Sequence, residues 1–208
     1  MHNLVEFANN KLAINEALHN QVDLNIFDAH VLGDGSILQI GKKQKYPNFA
    51  FYSNHKSYLE WLSERFVILK QRPIWSRSYL DKRTNKQYTG YWMRSLSSRF
   101  LDVQYKRWYP KGVKELPMDI NVNAEFLLHF FLDDGSRASN GAFYLAMDAI
   151  SASGTQLLRS KVESLVNSKV SIHKNGKGFR LYIPKRSNFL DVIGACPVKE
   201  FEYKWKCS

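Results

Sequence analysis

Cysteine is scarce in this chain of 208 residues. Cys196 and Cys207 have neither CxxC spacing nor a histidine pair beside them, which argues against a zinc site or a disulfide framework and fits a reducing compartment. Long apolar runs are missing too. None approaches the roughly 20 residues that span a bilayer, and the polar opening MHNLVEFANNK lacks a signal-peptide core. A soluble, intracellular protein that engages no membrane is therefore expected. Acidic residues are few: nineteen Asp and Glu face thirty Lys and Arg, for a net charge of +11. The imbalance is concentrated, since residues 65–111 hold twelve Lys or Arg against Asp81 and Asp102. A polyanion suits such a surface, although a basic face is equally compatible with plain solvation.

What is present is a globular composition, 44% hydrophobic, sufficient for one substantial domain or two small ones sharing a core. The greasiest stretch, FLLHFFLDDGS (126–136), ends in adjacent carboxylates and a glycine. A related stretch, LNIFDAHVLG (24–33), runs into GDGS, and Asp134 lies 100 residues after Asp34. The flanks match as well. After GDGS come strand-like SILQIGKK and YPNFAFYS, then HKSYLEWLSERFVIL, with Leu59, Leu62, Phe66 and Leu69 at helical spacing behind Ser53 or Asn54 as cap. After DDGS come strand-like GAFYLAMD and a helix with Leu158, Val162, Leu165 and Val166 on one face. PIWSRSYL and QYTGYWM flank DKRTNK as a hairpin, followed by a helix over 98–108 and YPKGVKELP. VSIHKNGKGFRLYIP offers a second hairpin, followed by a short helix over 187–193 and VKEFEYKW.

Each half thus reads αββαββα. No Pro- or Gly-rich linker divides them, so the expectation is one α+β body with two pseudo-twofold halves, 1–118 and 119–208, joined near 115–122.

An acid at a helix C-terminus faces the negative end of the macrodipole, unfavourable by roughly 0.3 to 1 kcal/mol, and a second acid beside it adds repulsion. A cation should offset both. Packing the two apolar helices side by side brings Asp34 and Asp134 to one end of the seam, where oxygen ligands suit a hard cation such as Mg²⁺. Gly35 and Gly135 are expected to take the left-handed conformation that ends each helix. Asp133, with Gly33 in its place in the first copy, reads as a supporting or turn residue. The alternative at this level is a pair of Asp-Gly turns closing ordinary core helices.

FDAHVLGDG (27–35) and LLHFFLDDG (127–135) resemble the two motif copies of the LAGLIDADG homing endonucleases. YPKGVKELP, RLYIPKRSNFLDVI and EYKW are similar to segments of the family's double-motif branch, typified by yeast mitochondrial intron endonucleases; the resemblance covers nearly the whole chain after about residue 20.

The resemblance implies motif helices packed side by side, antiparallel sheets forming a DNA-binding saddle, and Asp34 and Asp134 binding divalent metal. It implies a monomer that uses Mg²⁺, with Mn²⁺ as a substitute, to make a double-strand break in a long site, across the minor groove with short 3′ overhangs. Lys114 and Lys204 match lysines near that metal site, where a cation can offset charge building on the phosphate. A ribbon of strands fits the major groove. Candidate DNA contacts are Gln39, Lys42, Lys43, Arg77, Tyr79 and Arg83 in the first half, and Arg137, Tyr144, His173, Lys174, Arg180 and Tyr182 in the second, subject to strand register.

The chain departs from the family pattern at the seam. Ala29 is small, as usual there, but His129 stands at the equivalent place, and it and His30 read as buried, hydrogen-bonded histidines. Trp61, Trp75, Trp92, Trp108 and Trp205 read as core or hinge packing. The competing reading is an RNA maturase or non-cleaving binder of the same fold, with host intron RNA as partner. The E-x-K of Glu202 to Lys204 lacks the partner Pro-Asp of restriction-like nucleases. Family members occur in organelles, bacteria and phage, so the compartment stays open.

Overall fold

The computed structural model describes residues 24–39, 45–66, 69–176 and 178–206. The first half runs through α1 (24–32), β1 (Ser36–Leu38), β2 (Asn48–Ser53), α2 (Lys56–Arg65), β3 (Trp75–Asp81), β4 (Lys86–Arg94) and α3 (Arg99–Trp108). The second repeats that order with α4 (Ala124–Asp134), β5 (Gly135–Arg137), β6 (Phe143–Ala146), α5 (Ala152–Leu165), β7 (Ser171–Asn175), β8 (Gly178–Ile183) and α6 (Phe189–Ile193), closed by a 3-10 helix, Lys199–Lys204. The fold is α+β, with each half αββαββα. Among the described residues no helix is long and apolar enough to cross a membrane.

Local chemistry starts the helices where the sequence places them. Ser98 accepts from Leu101 N (3.3 Å), Asn123 from Phe126 N (2.9 Å) and Ser151 from Gly154 N (3.2 Å), each satisfying a helix-start amide. α2 differs from the expected pattern. Its cap position is His55 with no side-chain bond, and Ser53 Oγ instead accepts from His55 N at 3.1 Å.

Both sheets are antiparallel and four-stranded, ordered β1-β2-β4-β3 and β5-β6-β8-β7. Strand alternation buries Ile37, Phe49, Phe51 and Met93 from one sheet and Phe143, Leu145, Leu181 and Ile183 from the other. These side chains join Phe27, Val31, Phe126, Phe130 and Phe131 of α1 and α4 in one continuous core. A polar clamp closes its first-half end: the fork of Arg107 donates to both oxygens of buried Asp28 (2.7 and 2.9 Å) and its Nε to Asp119 (2.9 Å), while Trp108 Nε1 donates to Asp28 at 2.9 Å. The clamp ties α1, α3 and the connection to α4 together.

Two expectations need correction. Gly35 and Gly135 do not take the left-handed conformation; Gly135 is extended (φ −86°, ψ 149°), and Gly35 is not among the positive-φ residues. Crowding selects them instead. A Cβ on Gly35 would stand 2.6 Å from the His30 carbonyl oxygen and 2.7 Å from the Phe49 ring, and one on Gly135 would stand 2.0 Å from the Phe131 ring. The tryptophans also divide. Trp108 is fully buried, but Trp75 is 47% exposed on the sheet surface, stacked on Trp92 at 4.4 Å.

Candidate active site

α1 and α4 end beside each other, with their last acids facing two clefts. One cleft is lined by Leu32, Gly33, Asp34, Asp134 and the 146–150 segment that links β6 to α5. The other is lined by Asp34, Asp133, Lys204, Tyr58 and the end of β2 with its turn into α2. The clefts are related by the pseudo-twofold, and each combines a helix tip of one half with a strand-to-helix turn of the other.

Burial among protein atoms raises the Asp34 carboxyl to about 6, with repulsion from Asp133 adding to it. Asp134 rises to about 7, again chiefly through burial, then through the charges of Asp34 and Asp133. Lys204 and Lys114 oppose both shifts. The lysines occupy matched positions. Lys114 Nζ donates to the carbonyl of Leu32 (3.0 Å), and Lys204 Nζ to those of Phe131 (3.1 Å) and Leu132 (2.6 Å). Each caps the unsatisfied carbonyls of a motif helix and meets its dipole, which offsets part of the cost of the acids there. Burial lowers both ammonium groups against the pull of the carboxylates; for Lys114 the strongest pull is from Asp134, in the other half.

Asp133 is neither exposed nor a turn residue. Its side chain is fully buried, taking a hydrogen bond from Tyr58 Oη (2.6 Å) and sharing one with His30 Nδ1 (2.7 Å). His30 Nε2 lies 2.8 Å from His129 Nδ1, and the His129 ring stacks on Trp61 at 5.0 Å. Both histidines are fully buried, as the sequence suggests. Burial pushes His129 well below the ordinary histidine range, with the neighbouring His30 adding to the effect. The seam is thus bridged by a polar chain from α2 through α4 to α1, which sequence reasoning missed except for the odd DDG beside GDG. Asp148, exposed on the rim beside Asp34 and Asp134, was missed as well.

Register sorts the candidate DNA contacts. In the first sheet the core-facing set is Ile37, Phe49, Phe51 and Met93, so Tyr52, Trp75, Arg77, Tyr79, Lys86, Tyr88, Trp92 and Arg94 share the outward face. Arg77 and Tyr79 therefore lie on that outward face, and Arg83 lies exposed in the β3–β4 turn. In the second sheet Tyr144, His173, Arg180 and Tyr182 face outward; His173 stacks on Tyr182 at 5.0 Å and Arg180 lies over the Tyr144 ring at 4.1 Å. Arg137 and Lys174 pair with core-facing Phe143 and with Phe179, so they take the opposite face. Arg137 donates to the Trp205 carbonyl and covers the Phe143 ring. Gln39 is exposed just after β1, and Lys42, Lys43 and Cys207 lie outside the described residues.

The donor set fits a hard divalent cation. Among the described residues no group of three His, Cys, Asp or Glu side chains forms a cage, but Asp34 and Asp134 offer carboxylate oxygens whose ionisation is held back by burial and by repulsion among the neighbouring acids, both of which a bound cation offsets. Two protein ligands with the remaining positions left to water and phosphate is how Mg²⁺ is commonly bound.

The profile of the LAGLIDADG DNA endonuclease family matches residues 26–189. The uncharacterized protein MJ1098 of Methanocaldococcus jannaschii is 28% identical over 194 residues, covering 89% of this chain and 74% of its own. The homing endonuclease I-WcaI, solved bound to its DNA recognition sequence, superposes with a TM-score of 0.76 at 17% identity, covering 90% of this chain and 87% of that one. A variant of I-DmoI, solved with nicked target DNA in the presence of 2 mM Mn, gives 0.56 at 11% identity over 84% of this chain and 96% of that one.

Proposed function

The chain belongs to the LAGLIDADG DNA endonuclease family, and from that premise we propose that it is a site-specific, divalent-metal-dependent homing endonuclease. It acts as a monomer, with halves dividing near residue 118, and makes a double-strand break with short 3′ overhangs in a long duplex site. The observation that carries this reading is the pair of carboxylates, Asp34 and Asp134, lining one cleft at the shared tip of two motif helices whose last carbonyls are held by Lys114 and Lys204. A simple pair of structural turns gives no reason to hold two acids there.

In this reading Asp34 and Asp134 hold the metal, Mg²⁺ or in its place Mn²⁺, which supplies Lewis-acid stabilisation of charge at the phosphate. The chain's own groups do the rest. Lys114 and Lys204 hold the helix-end carbonyls in place and bring positive charge beside the reacting phosphates, where charge builds in the transition state. Hydrolysis adds water across the bond from phosphorus to O3′, leaving a 5′-phosphate and a 3′-hydroxyl. One cleft serves each strand. The outward sheet faces grip the major groove on either side, with Arg77, Tyr79, Tyr144, His173, Arg180 and Tyr182 toward base edges and Arg83 toward phosphate.

The test is selection of cleavable duplexes from a random library with purified protein and Mg²⁺, followed by sequencing of the cut ends. A long site with staggered ends is expected. Tight selective binding with no cut, under Mg²⁺ or Mn²⁺, moves the assignment to an RNA maturase or a non-cleaving binder.

A further inference from the structure

The two hairpins are not the same length. The equivalent rungs beside the clefts are Tyr52↔Trp92 in the first sheet and Ala146↔Arg180 in the second, since Ser36 pairs with Ala50 just as Ser136 pairs with Tyr144. Beyond that rung β4 continues for six residues, Lys86 to Tyr91, all paired with β3. β8 continues for only two, Gly178 and Phe179. At ~3.3 Å per residue the first hairpin reaches roughly 13 Å further from the cleft.

The extra length stands clear of the body. From Ser76 to Leu80, and from Lys86 to Thr89, residues on both faces of the ribbon are exposed, including Leu80 at 58%. The second hairpin is backed by the body instead: Ile172 and Phe179 pack against the core. A free two-stranded ribbon has the cross-section of a major-groove reader. Its outward face carries Arg77, Tyr79, Lys86 and Tyr88, and Lys82 and Arg83 stand exposed in the turn. Beyond the equivalent rung of the second sheet, the last outward-facing pair is Asn175 with Gly178.

We propose that the protein's DNA footprint is asymmetric, with the half-site under the β3–β4 ribbon longer, and its outermost pairs read by Arg77, Tyr79, Lys86 and Tyr88. This rests on the assignment of the sheets as the duplex interface. The added 13 Å corresponds to about four base pairs at the 3.4 Å rise of duplex DNA if the ribbon runs along the axis, and to about two if it follows the groove. Guanine in the outer long half-site is the base that a bidentate Arg77 selects.

The experiment uses the full chain and its selected duplex, trimmed one pair at a time from either end, with affinity measured by gel shift in Ca²⁺. The expected result is that binding falls at least tenfold when one end still extends two or more pairs further from the cut than the other. The double variant Arg77→Ala/Lys86→Ala should then bring the longer boundary inward and leave the shorter one in place. Equal boundaries in a duplex that is bound and cut overturn the asymmetry alone. An unequal pair of boundaries that the double variant leaves unmoved overturns the assignment of the longer side to this ribbon. Failure to bind any duplex overturns the endonuclease reading and the footprint with it.

Discussion

The Asp133 carboxylate fills the space beside Gly33: a Cβ on Gly33 would stand 2.6 Å from Asp133 Oδ2 and 2.7 Å from its Cβ. The mismatch between GDG and DDG at the ends of the two motif copies is thus a complementary pair across the seam. Gly33→Ala should destabilise the fold by about 1–3 kcal/mol through overpacking, read as a shift in the urea midpoint. Adding Asp133→Gly should cost less in that background than in the native one, because the clash is gone. Strictly additive losses would contradict the contact.

The pH response of stability follows from Asp34 and Asp134. Both have folded pKa values above the ordinary 3.8, about 6 and about 7, so between pH 4 and 7 the folded state binds more protons than the unfolded one. In the absence of divalent metal their contribution to stability therefore falls as pH rises through that window. Asp34→Asn and Asp134→Asn should each flatten the fall, and Mg²⁺ should raise the melting temperature more at pH 8 than at pH 5, since binding displaces the protons. Melting curves across pH test this. A decline that survives undiminished in both variants would remove these acids as its source.

The two lysines should separate in their structural roles. Lys204, 5% exposed, serves the carbonyls of Phe131 and Leu132, with that of Asp133 at 3.4 Å, whereas Lys114 serves that of Leu32 alone among the described residues. Lys204→Met should cost about 2 kcal/mol or more, given the usual worth of hydrogen bonds from charged donors. Lys114→Met should cost less. Equal costs in chemical denaturation would mean that the caps are not what makes Lys204 matter.

Much of this architecture was legible in the sequence, and the reasons lie in its repeats. The matched ends GDGS and DDGS, the helical spacing of Leu158 and Val162 and the hairpin signal at NGKG are all local, and each points to elements found in the structure, the last to the paired strands β7 and β8. What escaped depends on long-range contact. The crowding that selects Gly35 comes partly from Phe49, the face of Arg137 depends on pairing with Phe143, and buried Asp133 owes its partners to residues 75 and 103 positions away. Composition also misled over Arg107, which adds to the basic run yet is bound by Asp28 and Asp119.

Arg107 supplies a further test. Its removal leaves the buried Asp28 carboxylate with Trp108 as its remaining side-chain hydrogen-bond donor among the described residues. Arg107→Ala should therefore destabilise the fold by about 3–5 kcal/mol, the usual cost of breaking a buried pair, while the slope of log affinity against log salt stays as in the native protein. That native slope should be steep, about −4 or more negative, as for roughly five phosphate contacts. A flatter slope in Arg107→Ala would place this guanidinium on the DNA after all.

The central claim, that Asp34 and Asp134 hold the metal that cuts, is tested most directly by assaying Asp34→Asn and Asp134→Asn on the selected site with Mg²⁺ while measuring their affinity for the same duplex. The account predicts that each variant binds as tightly as the native protein or tighter and makes no double-strand break. Full cleavage by either one would contradict it.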